Sequence, residues 1–363
     1  APALAPVAMN AVWIAALAWI ALRMGDAPEL DQLRFLALGV VVAGLAQLAV
    51  QLPALRPHGL IGSPLRGSAR EGWAVLRASA PFALGAAAYQ VNVLVDGLMA
   101  EALLSDGGPT AHYYANRAQQ LPLALIAVAA TSSVFPSLKA LGHLGRLDEL
   151  RALHDRTQLG VLFLALPAAV GLAVLAEPIA RALFEHGAFE ARGTARVAAA
   201  LRVVALALPA AGAIGLTSRL YYACSDLRTP VRLSIGTLAL NTLLNFVLLR
   251  AFGLDVEGLA WATVVSSWLN WLVLMARLRT RLDLPAMLPD FGRRVALSAA
   301  CAGACGLGAW AGLHWVPLGP EVLGSEVVRD VARVAVGIAG GGLAFLTTAL
   351  ALRVPELRRV LRR

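Results

Sequence analysis

Apolar residues run along this chain in unbroken stretches, and short segments between them hold most of the charge. The stretches are close to the roughly 20 residues that cross the hydrocarbon core of a bilayer as a helix. They are continuous, without the period-two alternation of a half-buried strand. Lipid offers backbone groups no water to bond, so such runs predict helices. They predict an all-α integral membrane protein with about ten spans, at 3–22, 35–55, 73–104, 113–136, 157–183, 196–222, 231–250, 257–276, 295–316 and 328–352. The stretch 137–156 (SLKALGHLGRLDELRALHDR) is different: it mixes Leu at helical spacing with Lys, Arg and Asp. It predicts an amphipathic helix lying on the membrane surface.

Composition agrees. Of 363 residues, 59% are hydrophobic and 15% are charged, against roughly 25% charged in a soluble domain. Mean hydropathy is +0.70. A net charge of +9 does not point to nucleic acid, because the basic residues form no single patch. They alternate between loops. Arg56, Arg66 and Arg70 follow the second span, and Lys139, Arg146, Arg151 and Arg156 the fourth. Arg228 and Arg232 follow the sixth, and Arg277, Arg279, Arg281, Arg293 and Arg294 the eighth. Arg353, Arg358, Arg359, Arg362 and Arg363 close the chain. The intervening loops carry acids such as Asp26, Asp106, Glu185, Asp255 and Glu321. By the positive-inside rule the basic loops and both ends of the chain are cytoplasmic.

Other chemistries find little support. Cys224, Cys301 and Cys305 form no disulfide framework, and the histidines lack metal-ligand spacing. No loop gathers a nucleophile with a base or two acids, so no enzyme is expected. The chain opens Ala1-Pro2-Ala3 and runs directly into a span, which suggests that Ala1 is not the native start. Gly308 and Gly312, and Gly337 and Gly341, lie four apart, a spacing that lets membrane helices approach closely.

Polar groups inside spans are costly and therefore candidates for function. The third span holds Gln90, Asn92 and Asp96, and the fourth Asn116, Arg117, Gln119 and Gln120. The sixth holds Arg202 and Arg219, the seventh Asn241 and Asn245, and the eighth Thr263, Ser266, Ser267 and Asn270. Asp96 and Arg117 lie on neighbouring helices, where they face one cavity or simply pair. Arg117, Arg202 and Arg219 are near enough to span ends to snorkel to the interface. Pro81, Pro122, Pro167 and Pro209 can bend their helices.

Several stretches resemble the MurJ/MviN family of lipid II flippases, within the multidrug/oligosaccharidyl-lipid/polysaccharide exporter superfamily. These are APALAPVAMN (1–10), QVNVLVDGLMA (90–100), YYANRAQQLPLALIAVAATSSVFPSL (113–138), LPAAVGLAVLAEPIARALFEHGAF (166–189) and YYACSDLRTPVR (221–232). The likeness covers roughly residues 1–290. It implies two six-helix lobes around a cavity, followed by two extra helices beside a lipid-facing groove. Residues 1–55 then correspond to the last two helices of the first lobe, 73–276 to the second lobe, 295–352 to the extra pair and 353–363 to a basic cytoplasmic tail. The family's first four helices have no counterpart here. Lipid II, an undecaprenyl-pyrophosphate-linked sugar-peptide, is the implied substrate, in a bacterial inner membrane. Cell-wall synthesis proteins are implied partners beside membrane lipids.

The resemblance places Arg117 among the cavity arginines, with Asn116 and Gln120 beside it as substrate-binding residues. Arginine suits pyrophosphate because its planar fork stays charged and donates two hydrogen bonds. Where the family commonly has Asp before this Arg, this chain has Asn116, which leaves the site more positive. Asp96, Asn241, Asn245 and Thr263 lie where some members are thought to hold a sodium ion. A carboxylate, two amide oxygens and a hydroxyl make a hard oxygen site, and plain interhelical hydrogen bonding is the competing reading. Two other functions stay open: export of another polysaccharide-linked lipid or of drugs, and a non-transporting scaffold or remnant.

The alternation of basic loops makes a direct prediction. A single cysteine placed by His143→Cys, in a background without the three native cysteines, should resist a membrane-impermeant thiol reagent in intact cells. Strong labelling there would reverse the orientation.

Overall fold

The computed structural model describes residues 4–55, 69–131, 134–186, 189–315 and 326–360. It describes their side chains except at 54–55, 69–70, 78–89, 127–131 and 358–360. Among these residues all regular structure is helical. The basic loop 56–68, the segment 316–325 and the last three residues of the tail, 361–363, lie outside them.

The chain divides into two compact units, residues 1–77 and 78–363. In the first, α1 (Ala5–Arg23) and α2 (Glu29–Leu55) pack as a hairpin. Most of their described side chains are exposed, while Ala16 and Ala43 are buried. The division falls within α3 (Ala69–Leu103). The second unit continues with α4 (Gly108–Thr131), α5 (Phe135–His143), α6 (Leu147–Val174), α7 (Ala176–Phe184), α8 (Ala191–Val204), α9 (Leu208–Ala223), α10 (Arg228–Arg250) and α11 (Val256–Leu282). It ends with α12 (Phe291–Trp315), α13 (Glu326–Ala351) and α14 (Pro355–Val360).

Among the described residues eight spans are long and apolar enough to cross a membrane, counting α8 and α9 as one, Ala191–Ala223. Helices α3 and α4, of 35 and 24 residues, stand at the other two predicted positions. The protein is a multi-pass membrane protein.

The expected surface helix 137–156 needs correction. It ends at His143, and Gly145 turns the chain with a left-handed φ of 67°. Residues 147–156 then belong to the long helix α6. Their charge misleads because it is neutralised internally. Asp155 is fully buried and Arg151 is 4% exposed. Arg151 Nε donates to Asp155 Oδ2 at 3.0 Å, His154 Nδ1 lies 3.1 Å from Asp155 Oδ1, and the Leu288 backbone N–H reaches Oδ2 at 3.1 Å. A buried carboxylate is tolerated when paired and hydrogen-bonded in this way. It also ties the segment before α12 to α6.

The expected span 157–183 likewise appears as α6 and α7, joined at Leu175. The span 196–222 is interrupted at Ala205–Ala207, where a 3₁₀ turn precedes Pro209. At this turn the Leu208 N–H bonds Ala205 O. Gln119 Nε2 donates to Val204 O at 2.5 Å, and Trp268 Nε1 donates to Leu206 O at 2.9 Å. Side chains from α4 and α11 thus serve the broken backbone, since water cannot.

Arginine clamps fix both ends of the unit. Arg196 of α8 grips Asp255 at 2.7 and 2.5 Å and the Asp106 carbonyl at 2.8 Å. At the other end, buried Arg294 of α12 pairs with buried Glu356 of α14. The first residues of the expected basic tail are therefore a docked helix.

Helix α6 packs against α4, α5, α9 and α12. Helices α12 and α13 pack on one another through glycines. A methyl group at Gly308 would fall 2.5 Å from Gly340 O, and one at Gly312 3.0 Å from Val336 O. Gly341 faces Cys305 O across the same seam, whereas Gly337 meets the Leu175 side chain. Backbone contact this close predicts a clear result. Gly308→Ala should lower the unfolding free energy by about 1–3 kcal/mol, as overpacking does. Gly303→Ala, where the added methyl meets nothing within 4 Å, should change it little. Equal behaviour of the two variants in a detergent unfolding titration would refute the close-packed seam.

Candidate functional site

Helix α4 positions Arg117. Residues 117, 120 and 121 recur at i, i+3 and i+4, so they share one face. Arg117 and Gln120 are exposed, and Arg117 Nη1 donates to Gln120 Oε1 at 3.1 Å. The adjacent Gln119 points the other way, into the protein and onto Val204 O. Asn116 is turned back along the helix: its amide N–H group lies 3.0 Å from both His112 O and His112 Nε2. The structure therefore joins Arg117 with Gln120 and directs Asn116 elsewhere.

Arg117 stands on the wall of a groove of about 560 Å³ between α4, α6, α7, α12 and α13. Leu121, Leu172, Ile179, Leu183, Ile338 and Phe345 contribute to its apolar lining. Among the described lining residues Arg117 alone is charged. A guanidinium in apolar surroundings attracts an anion strongly, because little competes for it. The groove has the apolar lining that suits a hydrocarbon chain, and its one charged lining residue is a cation. Sequence periodicity could not have located it. Its walls come from five helices, and α7 was merged with α6 in the expected span.

The second cluster lies where α3, α10 and α11 meet. Asp96 is 6% exposed, Asn241 2% and Asn245 fully buried. Asn245 Nδ2 donates to Asp96 Oδ1 at 2.7 Å and to Asn241 Oδ1 at 3.2 Å. Asn92 Nδ2 donates to Asp96 Oδ2 at 2.9 Å. Asn241 Nδ2 donates to Ser266 Oγ at 3.3 Å. The structure thus brings together three of the four residues expected to hold a cation. Thr263 Oγ1 instead donates to Leu259 O of its own helix, and Ser266 is the α11 residue that meets Asn241. Asn92 and Ser266 are the members that sequence reading did not single out, although both had been noted as intramembrane polar groups.

This donor set suits a small hard cation. It offers a carboxylate, the Asn241 amide oxygen and the Asn245 Oδ1, which is buried without a hydrogen-bond partner. An orphaned buried carbonyl oxygen costs free energy, and a cation ligated there would remove that cost.

Elsewhere, Arg202 pairs with Glu177 of α7 at 3.2 Å, with half of its side chain exposed. It does not enter the groove lining.

Comparison with known proteins fits this arrangement. A family model described as lipid II flippase MurJ matches residues 1–318. A probable lipid II flippase MurJ of Rhizobium meliloti (strain 1021) is 34% identical over 279 residues, 77% of this chain and 51% of that protein. The lipid II flippase MurJ of Burkholderia cenocepacia is 32% identical over 286 residues, 77% of this chain and 54% of that protein. The chain spans about half the length of these curated relatives. Among solved structures, a lipid II flippase MurJ in an inward closed conformation matches with a TM-score of 0.73 at 20% identity. That match covers 100% of this chain and 68% of the other, and shows a shared fold. With the family model matched over 318 of 363 residues, the chain belongs to the MurJ family.

Proposed function

We propose that this chain is part of a lipid II flippase of the bacterial inner membrane, a transporter and not an enzyme. The observation that carries the reading is Arg117, a single guanidinium on the wall of an otherwise apolar groove. Lipid II joins a pyrophosphate to a long polyprenyl chain, so its charge and its hydrocarbon arrive together. Arg117 binds the pyrophosphate with its planar fork, and the groove takes the first part of the chain. Gln120 steadies the guanidinium through its side-chain oxygen and offers its amide N–H group to the headgroup. Asn116 adds no carboxylate beside the phosphate, which keeps this face cationic.

The same proposal assigns residues 1–55 to the end of a first lobe, 73–276 to a second lobe, 295–352 to an extra helix pair and 353–363 to a cytoplasmic tail. It sets the basic loops and the C-terminus in the cytoplasm. Cell-wall synthesis proteins are its natural partners. Asp96, Asn241 and Asn245 would hold a sodium ion, which would supply a positive charge between α3 and α10; binding would be weak because the set has a single carboxylate.

The substrate assignment predicts the behaviour of two variants introduced into the native gene. Arg117→Ala should abolish transfer of lipid II to the outer leaflet, measured by its accessibility to an external probe. Arg117→Lys should slow it about tenfold, because a point charge gives up one charge-assisted hydrogen bond. Transfer at the parental rate in both variants would remove Arg117 from the substrate site.

The cation assignment predicts a salt effect at constant ionic strength. Replacing potassium by sodium should raise the melting temperature of the purified chain in detergent by roughly 2–4 °C, as one weakly bound ion does. Asp96→Asn should erase the difference. Identical melting of the parent in the two salts would leave the cluster a hydrogen-bond network.

A further inference from the structure

A second recess lies where α7 meets the end of α12 and the start of α13. It is a cleft of about 230 Å³ bordered by Glu177 and Arg181 of α7, His314 of α12, and Asp330 and Arg333 of α13. Its lining carries two guanidiniums and two carboxylates, and Arg202 of α8 places a third guanidinium on Glu177 Oε2 at 3.2 Å. Arg181 Nη2 bonds Glu177 Oε1 at 3.1 Å, while Arg333 and Asp330 stand 3.8 Å apart, beyond hydrogen-bond length. Two atoms of these residues are buried without a hydrogen-bond partner: the donor Arg181 Nε and the acceptor Asp330 Oδ1. Burying such groups unpaired is costly. The cleft therefore holds unused capacity of both kinds, a donor on a cation and an acceptor on an anion.

Its depth relative to the bilayer is marked. Trp310 and Trp315, at the same end of α12, are 48% and 76% exposed. His314 stacks on Trp310 with ring centroids 4.5 Å apart. Exposed tryptophans at a span end sit at the level of lipid headgroups. The cleft also adjoins hydrocarbon-binding surface. Arg333 of the cleft and Gly337 of the apolar groove are four residues apart on α13, about 6 Å along the helix axis. On α7, Arg181 of the cleft is followed by Leu183 of the groove.

We propose that this cleft binds a phospholipid with a phosphoethanolamine headgroup. The phosphate lies against Arg181 and Arg333. The primary ammonium donates to Asp330 and Glu177, and an acyl chain enters the adjoining groove. A purely anionic headgroup has no N–H to give the unpartnered Asp330 Oδ1 and would meet that carboxylate unrewarded. A quaternary ammonium has no N–H to give Asp330 Oδ1. The headgroup contacts use neither Arg117 nor the Asp96 cluster, and only the acyl chain shares the groove assigned above to the polyprenyl chain.

Native mass spectrometry of the purified chain tests this with phosphatidylethanolamine, phosphatidylcholine and phosphatidylglycerol of identical acyl chains. Phosphatidylethanolamine should be retained about tenfold more than either, the worth of one charge-assisted hydrogen bond. Asp330→Asn and Arg181→Gln should each bring it down to the level of phosphatidylcholine. Arg333→Lys, which keeps the charge, should preserve most of the preference. Glycerophosphoethanolamine, which has the headgroup without the chains, should compete weakly. If a variant loses its monodisperse elution profile, Glu177→Gln replaces it with the same expectation. Equal retention of the three lipids would overturn the proposal. So would a preference for phosphatidylglycerol, or a preference that survives both Asp330→Asn and Arg181→Gln.

Discussion

Inside a bilayer a polar group has no water to fall back on, and every departure from a plain apolar helix must be repaired by another part of the chain. This governs the arrangement of the second unit. Pro209 cannot continue the helix before it, and the chain tightens into a 3₁₀ turn. The turn is served by Gln119 from α4 and Trp268 from α11. Two helices remote in sequence are thereby committed to one place on α8–α9. Position 119 then sets the rotation of α4. With Gln119 turned inward, Arg117 and Leu121 must face outward, onto the groove. The proline break and the presentation of the candidate substrate residue are one geometric fact.

Apolar attraction cannot supply the rest, because lipid tails are as apolar as leucine. What holds α12 to α13 is contact between backbones, made possible where Gly308 and Gly340 remove the side chains between them. The approach has a consequence for the groove. Gly337 and Gly341 lie on its floor, so the same small residues that bring helices together leave room for a chain to lie across them. A bulkier stripe would fill the groove and separate the helices at once.

The spans were legible because hydrophobic run length is a nearly sufficient statement of membrane crossing. Their edges were not, and the errors share a cause. Residues 147–156 carry enough charge to look like a surface segment, and nothing in one sequence shows that Arg151, His154 and Asp155 neutralise one another within α6. Likewise Glu356 gives no sign of its partner Arg294, 62 residues away. The convergence of Asp96 with Asn241 and Asn245 was anticipated from the resemblance, since an i,i+4 pair of amides on one helix must share a face. Thr263 was the weaker member because a threonine in a helix has its own carbonyl, four residues back, as a ready acceptor. The groove was illegible in principle, being a property of five helices at once.

Four arginines of the second unit contrast, three of them buried or half-buried and the fourth, Arg117, exposed. Arg151, Arg196 and Arg294 each meet a carboxylate, Asp155, Asp255 and Glu356 respectively. Their charge is neutralised where it lies, and removing one of them would strand an acid. Arg117 meets only the neutral oxygen of Gln120, while the groove beside it is lined by apolar residues. A structural role would be served better by a pair, as the other three demonstrate. A snorkelling role would not require the rigid fork of arginine. An unneutralised guanidinium at an apolar surface gains stability when an anion arrives to meet it. Under the proposed function it must also be released again, since a permanent partner would stop transport. A neutral hydrogen-bond neighbour, which orients the fork without quenching its charge, is the arrangement that such reversible binding demands.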